Sequence, residues 1–174
     1  MPIFNVPRTG RKQDGYLEGL LKVIFEHEQS VYKEGFGVCD LSPDIVAATF
    51  YSVRNAFGKI NSLKTHRIEL HIEREFGDDI TLEIARYVGN YFLFQGFITF
   101  VGIIKLENYY LIEVLINAVS HLNGLAFQDN NWQYVQVYNA LKTVFPADWR
   151  VSVMDSAFYD SKNLAKSYVC GKLG

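Results

Sequence analysis

The sequence predicts an α+β domain: an antiparallel sheet of about five strands with helices mainly on one face. Three observations carry that expectation. "HRIELHIERE" alternates, with Ile68, Leu70 and Ile72 on one side and Arg67, Glu69, His71 and Glu73 on the other, the pattern of a strand with one wet face. "FITFVGII" and "YYLIEVLIN" are successive apolar runs of strand length, apolar enough to lie centrally in a sheet. The segments around them repeat apolar residues at helical spacing, in an irregular order that points to α+β rather than to a βαβ series.

In chain order, "MPIFNVPRTGRKQD" carries two prolines and three basic residues and reads as a flexible basic arm, 1–14. "GYLEGLLKVIFEHEQ" places Leu17, Leu20, Leu21, Ile24 and Phe25 at helical spacing, and "VYKEGFGVCD" has the alternation of a short edge strand. Ser42-Pro43-Asp44 is a helix start, a capping residue followed by proline at the first helical position. The helix that follows lines up Ile45, Val46, Thr49, Phe50, Val53 and Phe57, and Gly58 can stop it. "DDITLEIARYVGNYFLF" reads as a helix to about Phe94. After the two apolar strands come the turn dipeptide Asn123-Gly124 and a helix with Trp132, Val135, Tyr138, Leu141 and Val144 in phase, stopped by Pro146. "WRVSVMDS" is a candidate last strand, so the domain runs over 15–156 and leaves a tail, 157–174.

Bulk properties narrow the function classes. Of 174 residues, 49% are hydrophobic, enough for a substantial core. The net charge of −2 argues against a strong polyanion partner. Cys39 and Cys170 form no C-x-x-C pair, which argues against a zinc ribbon or a thioredoxin-type site. With no signal peptide in view, they read as reduced thiols of a cytoplasmic protein. The longest apolar stretch, "YFLFQGFITFVGII", is broken by Gln95, Gly96 and Gly102 and reads as a helix end and a buried strand, so no membrane partner is expected.

Several segments follow one another in a recognisable order: "LEGLLKVIFEHEQS", "GVCDLSPD", "VRNAFGK", "HRIELHI", "DITLEIARYV", "YYLIEVLINAVSHLNGLAF" and "NWQYVQVYNALKTVF". Together, over about Leu17 to Phe145, they resemble the nuclease domain of relaxases, the mobilisation proteins of plasmids and integrative elements (MobA/VirD2-like, Gram-positive type). The family pattern has a helix with "Y-I-L-N-P-x-K-T", a strand into "N-C-x-P-D", a helix closing on "F-G-K", and the strand-pair signature "H-x-D-T-x-x-H-x-H-x-x-x-N". Counted back from Asn117, the paired histidines fall on Leu111 and Glu113 and the upstream one on Ile104. The tyrosine falls on Val23.

The resemblance implies a mechanism these side chains cannot perform. A relaxase cleaves one DNA strand by attack of a tyrosine oxygen on a phosphodiester. The phenol is a poor nucleophile at neutral pH, and the charge that develops on the phosphoryl oxygens is neutralised by a metal held by three imidazoles. Ile104 and Leu111 offer no lone pair, and Glu113 alone is a single carboxylate ligand, so neither metal nor other cofactor is expected. Tyr16 and Tyr109 are spare phenols near the same place and read first as packing residues. Glu107 and Glu113 are an evenly spaced acid pair, with Glu107 expected in a turn. His66 and His71, five residues apart, should face opposite sides of a regular strand.

The charge pattern bears on partners. Ser52 to Ile68 holds Arg54, Lys59, Lys64 and Arg67 without an acid, and Arg8, Arg11 and Lys12 extend the set if the arm folds back. These seven are the candidate DNA contacts, for weak and salt-sensitive binding. The expectation is a catalytically degenerate, relaxase-like protein of a mobile genetic element that binds DNA or a DNA-processing partner. The alternative is a protein-interaction module acting as inhibitor or mimic of a DNA-handling enzyme, an anti-CRISPR protein for instance. The third reading is an active metal-dependent nickase with relocated residues.

Overall fold

The computed structural model describes residues 1–7, 11 and 13–152, apart from the side chains of residues 131, 151 and 152. Arg8, Lys12 and the expected tail therefore lie outside the described residues. The elements are β1 (Ile3–Asn5), α1 (Tyr16–Glu26), β2 (Ser30–Phe36), α2 (Pro43–Ala56), β3 (Thr65–Glu73), α3 (Gly77–Phe94), β4 (Thr99–Lys105), β5 (Tyr109–Asn117), α4 (Asn131–Val144) and β6 (Arg150–Ser152).

They build one sheet in the order β2-β4-β5-β3-β1-β6. The first five strands pair antiparallel, and β6 adds to β1 in parallel. The expectation of an α+β fold with an antiparallel sheet and helices lying on it holds, with β4 and β5 central as their apolar sequences require.

The first residues differ from a flexible arm. Ile3–Asn5 pair with His71, Leu70 and Glu69 of β3, and Phe4 and Val6 are buried. Pro2 and Pro7 flank the strand rather than interrupt it, so the prolines that suggested an arm bracket a short β-element.

The sheet separates two cores. On one face α3 and α4 cover Ile68, Leu70 and Ile72 of β3, Val101 and Ile103 of β4, and Tyr110, Ile112, Val114 and Ile116 of β5. On the other, α1 and α2 form a smaller cluster with Phe100 and Leu115. This second pair, at one end of the opposite face, is what an expectation of helices mainly on one face leaves out. Truncating a fully buried residue such as Phe50 or Phe92 is expected to cost about 3–5 kcal/mol.

Local signals act as the sequence suggests at α2. Ser42 Oγ accepts a hydrogen bond from the Ile45 N–H at 3.3 Å, Pro43 opens the helix, and Gly58 at φ +66° follows its end. In α4 the pattern is less faithful: Val135, Tyr138 and Leu141 are buried, whereas Trp132 is 67% exposed and Val144 is exposed too. The helix spans the whole of the expected run, but burial is confined to its middle turns. α1 crosses β4 closely at Gly102, where a Cβ would lie 2.2 Å from Ile24 Cγ2. A glycine there lets the helix settle against the strand.

Candidate functional site

The polar face of β3 sits beside that contact. The register sets Glu69 opposite Glu113 and Ile104 opposite Leu111. Alternation then brings Leu111 and Glu113 of β5, Ile104 of β4 and Arg67, Glu69 and His71 of β3 to one face of the sheet. The three positions that the resemblance assigns to imidazoles are thus spatial neighbours, two on one strand and the third paired across the ladder.

Their contents are aliphatic or already paired. Ile104 is buried. Glu113 accepts two hydrogen bonds from the Arg67 guanidinium, from Nε at 2.8 Å and Nη2 at 2.5 Å. The same Nη2 lies 2.6 Å from Glu69 Oε1. Two carboxylates opposite each other on adjacent strands repel. Arg67 bridges them. Asn5 of β1 donates to Glu69 at 2.6 Å, and His71 Nε2 lies 3.7 Å from the same carboxylate.

Electrostatics follow from burial and from that bridge. Burial pushes the Glu113 carboxyl up, against the pull of the guanidinium. The Glu69 carboxyl also bears the cost of burial, but His71, Arg67 and Asn5 together hold it below the usual range. Two polar atoms of this region, Asn5 Oδ1 and the Tyr16 hydroxyl, are buried with no hydrogen-bond partner among the described residues. Among the described residues no three His, Cys, Asp or Glu side chains converge so as to hold a metal ion.

The remaining expected site residues distribute as follows. Val23 is exposed on α1. Tyr16 is the first residue of α1. Tyr109 stacks on His71, with ring centroids 4.9 Å apart and planes 8° from parallel. Glu107 is exposed in the β4–β5 turn and forms no pair with Glu113. His66 and His71 do lie on opposite faces: His66 is buried against Phe127, its ring centroid 4.6 Å away.

The candidate DNA contacts change character most. Arg11 is buried, giving two hydrogen bonds to the Pro7 carbonyl and one to Asp129 at 2.6 Å. Arg54 is buried and holds the loop after α2, donating to the carbonyls of Ile60 and Ser62 at 2.5 and 2.7 Å. Arg67 is the bridge just described. Lys64 sits over the Tyr51 ring, 3.8 Å from Asp14, and Lys59 is exposed. Three of the expected phosphate ligands thus serve the fold. Sequence could have flagged Arg54, which stands four residues after Phe50 and eight after Val46, on the buried stripe of α2.

A second concave feature went unread in the sequence. The end of α3, the segment between β5 and α4, and the first turns of α4 enclose a cleft of about 550 Å³ that includes Gln95, Leu125, Gln128, Trp132, Gln133 and Gln136.

Compared with family models, curated proteins and solved structures, the chain matches none. Among the described residues no helix is long and apolar enough to cross a membrane.

Proposed function

We propose that this chain is a relaxase-like binding protein of a mobile genetic element, unable to nick DNA, whose partner is a DNA-processing protein more than DNA itself. The observation that carries this reading is the Arg67–Glu113 pair. It fills one of the three positions that would hold the metal, while Ile104 and Leu111 fill the other two with side chains that cannot ligate. The internal use of Arg11, Arg54 and Arg67 supports the preference for a protein partner, because those cations are spent on backbone carbonyls and carboxylates.

Supercoiled plasmid or single-stranded oligonucleotide incubated with Mg²⁺ or Mn²⁺ is expected to show neither nicked product nor a covalent adduct. An adduct that disappears in Tyr16→Phe or Tyr109→Phe sinks the reading. Binding to a single-stranded oligonucleotide is expected to depend weakly on salt. Seven phosphate contacts would give a log–log slope of about −5, whereas Lys59 and Lys64 together with Arg8 and Lys12 give at most about −3.

The scaffold part of the proposal has its own test. In the variant Ile104→His, Leu111→His, Glu113→His and Arg67→Met, three imidazoles replace the aliphatic groups and the cation is gone. A folded variant, checked by circular dichroism, is expected to bind one Mn²⁺ or Zn²⁺ in titration calorimetry where the parent binds none. A folded variant without that gain would show that the three positions do not converge as a ligand set.

A further inference from the structure

The cleft between α3 and α4 is lined by amide and apolar side chains. Amide side chains dominate it: Gln95 from the end of α3, Gln128 from the preceding loop, and Gln133 and Gln136 from α4. Among the described residues no Lys, Arg, His, Asp or Glu lines it. Its apolar part is made by Phe97, Leu125, Ala126, Phe127 and the flat indole of Trp132, 67% exposed at the start of α4. Trp132 is on a helix whose buried stripe it does not join, so packing does not account for its presence there.

The amides are held in place. Gln133 Nε2 donates to Gln95 Oε1 at 3.3 Å, tying α4 to the end of α3. Asn130 caps α4 by accepting from the Gln133 N–H at 3.0 Å, and its own amide donates to Gln128 Oε1 at 3.2 Å. Gln136, one turn further along α4, makes no hydrogen bond with its side chain among the described residues. It offers one carbonyl acceptor and two N–H donors to whatever enters.

From this chemistry we infer that the cleft is a binding site for a neutral, hydroxyl-rich ligand of the sugar class, stacked on Trp132 and hydrogen-bonded by the amides. Its volume falls within the range of roughly 300–1,000 Å³ of small-molecule sites. With no cation among the described lining residues, a phosphate or carboxylate would be desolvated there without a charged partner, which disfavours it as the anchoring group. The same lack also disfavours single-stranded nucleic acid, which needs positive charge along its backbone beside any stacking platform. A purely apolar ligand would cover the Gln136 amide without giving it a partner, a loss of roughly five- to 150-fold in affinity. A pyranose meets both demands: its C–H face covers the indole, and its vicinal hydroxyls give and accept at the amides.

The chain holds two tryptophans, Trp132 in the cleft and Trp149 buried in the main core, so the indole N–H signals serve as probe and internal control. Titrate the full ¹⁵N-labelled chain with glucose, galactose, N-acetylglucosamine and maltose, and separately with an oligothymidylate. Support is a saturable shift of the Trp132 indole signal with at least one sugar, Trp149 unmoved, and affinity lowered about tenfold by Gln136→Ala in a protein of unchanged melting temperature. Trp132→Phe, which retains a flat ring, is expected to weaken binding less than Trp132→Ala. A response to the oligothymidylate alone would reassign the cleft to base stacking, and no response to any of these probes would overturn the site. Either result leaves the reading of the Arg67–Glu113 face untouched.

Discussion

Arg67→Met is expected to destabilise the protein by about 3–5 kcal/mol, the range for removing one partner of a buried ion pair. Glu113 is 3% exposed and would be left facing Glu69 across the β3–β5 ladder with its guanidinium gone. The loss belongs to the unpaired acid more than to the bridge. Arg67→Met combined with Glu113→Leu should therefore recover most of it, because two apolar side chains in that place need no desolvated charge.

The pH dependence has a definite sign. Burial already raises the Glu113 carboxyl, and the guanidinium is the main group opposing that rise. In Arg67→Met the folded value climbs further above the unfolded value of about 4.3. A group raised in the folded state contributes its stability fully below the unfolded pKa and loses it as pH rises through the folded one. Glu69 runs the other way in the parent: its carboxyl is held low, so its contribution is present above the unfolded pKa and lost as pH falls. Both effects narrow the gap between parent and variant in acid. Urea denaturation should accordingly give a smaller difference near pH 4.5 than at pH 8. A difference below 1 kcal/mol, or one flat with pH, would mean that Arg67 is not the bridge it is drawn as. If the pair holds this part of the sheet together, Arg67 and Glu113 serve the fold here and neither is free for another ligand.

What could be read from sequence divides along a physical line. Elements written in local periodicity were legible. β3 alternates, α2 announces its start with Ser42-Pro43, and β4 and β5 are apolar because both sheet faces are covered beside them. β1 was not legible, since three residues between prolines carry too little pattern, and only the alternation of Phe4 and Val6 around Asn5 hints at it. The candidate site was half legible. That Glu113 is a notable acid in an apolar strand can be read along the chain, but that it faces Glu69 depends on strand register, which links residues 44 positions apart and is set by pairing. The basic run misled for the same reason. Charge read along the chain says nothing of which arginine points inward, and the amide-lined cleft is assembled from three segments with no common sequence signature.

Arg54→Met tests the inward placement of one of these arginines. The guanidinium replaces solvent for the loop after α2: Nη2 serves the carbonyls of Ile60 and Ser62, and Nε reaches Ser62 Oγ at 3.2 Å. Burial lowers the pKa of Arg54, yet a guanidinium stays charged at any working pH, so these are charge-assisted hydrogen bonds throughout. Losing them while their carbonyls stay shielded should cost about 2–4 kcal/mol, a fall of roughly 5–15 °C in melting temperature for a chain of this size. Arg54→Lys should recover little of it, since an ammonium cannot span the same acceptors with a planar fork. Were Arg54 a phosphate ligand instead, the opposite pattern would appear: stability kept, and the salt slope of oligonucleotide binding reduced by about 0.7. Lys59→Ala is the matching control. Its side chain is exposed, so its removal should leave the melting temperature where it was and act only on whatever phosphate binding exists. Together the two variants separate an arginine that serves the fold, as the bonds of Arg11, Arg54 and Arg67 imply, from an exposed lysine that is free to meet phosphate.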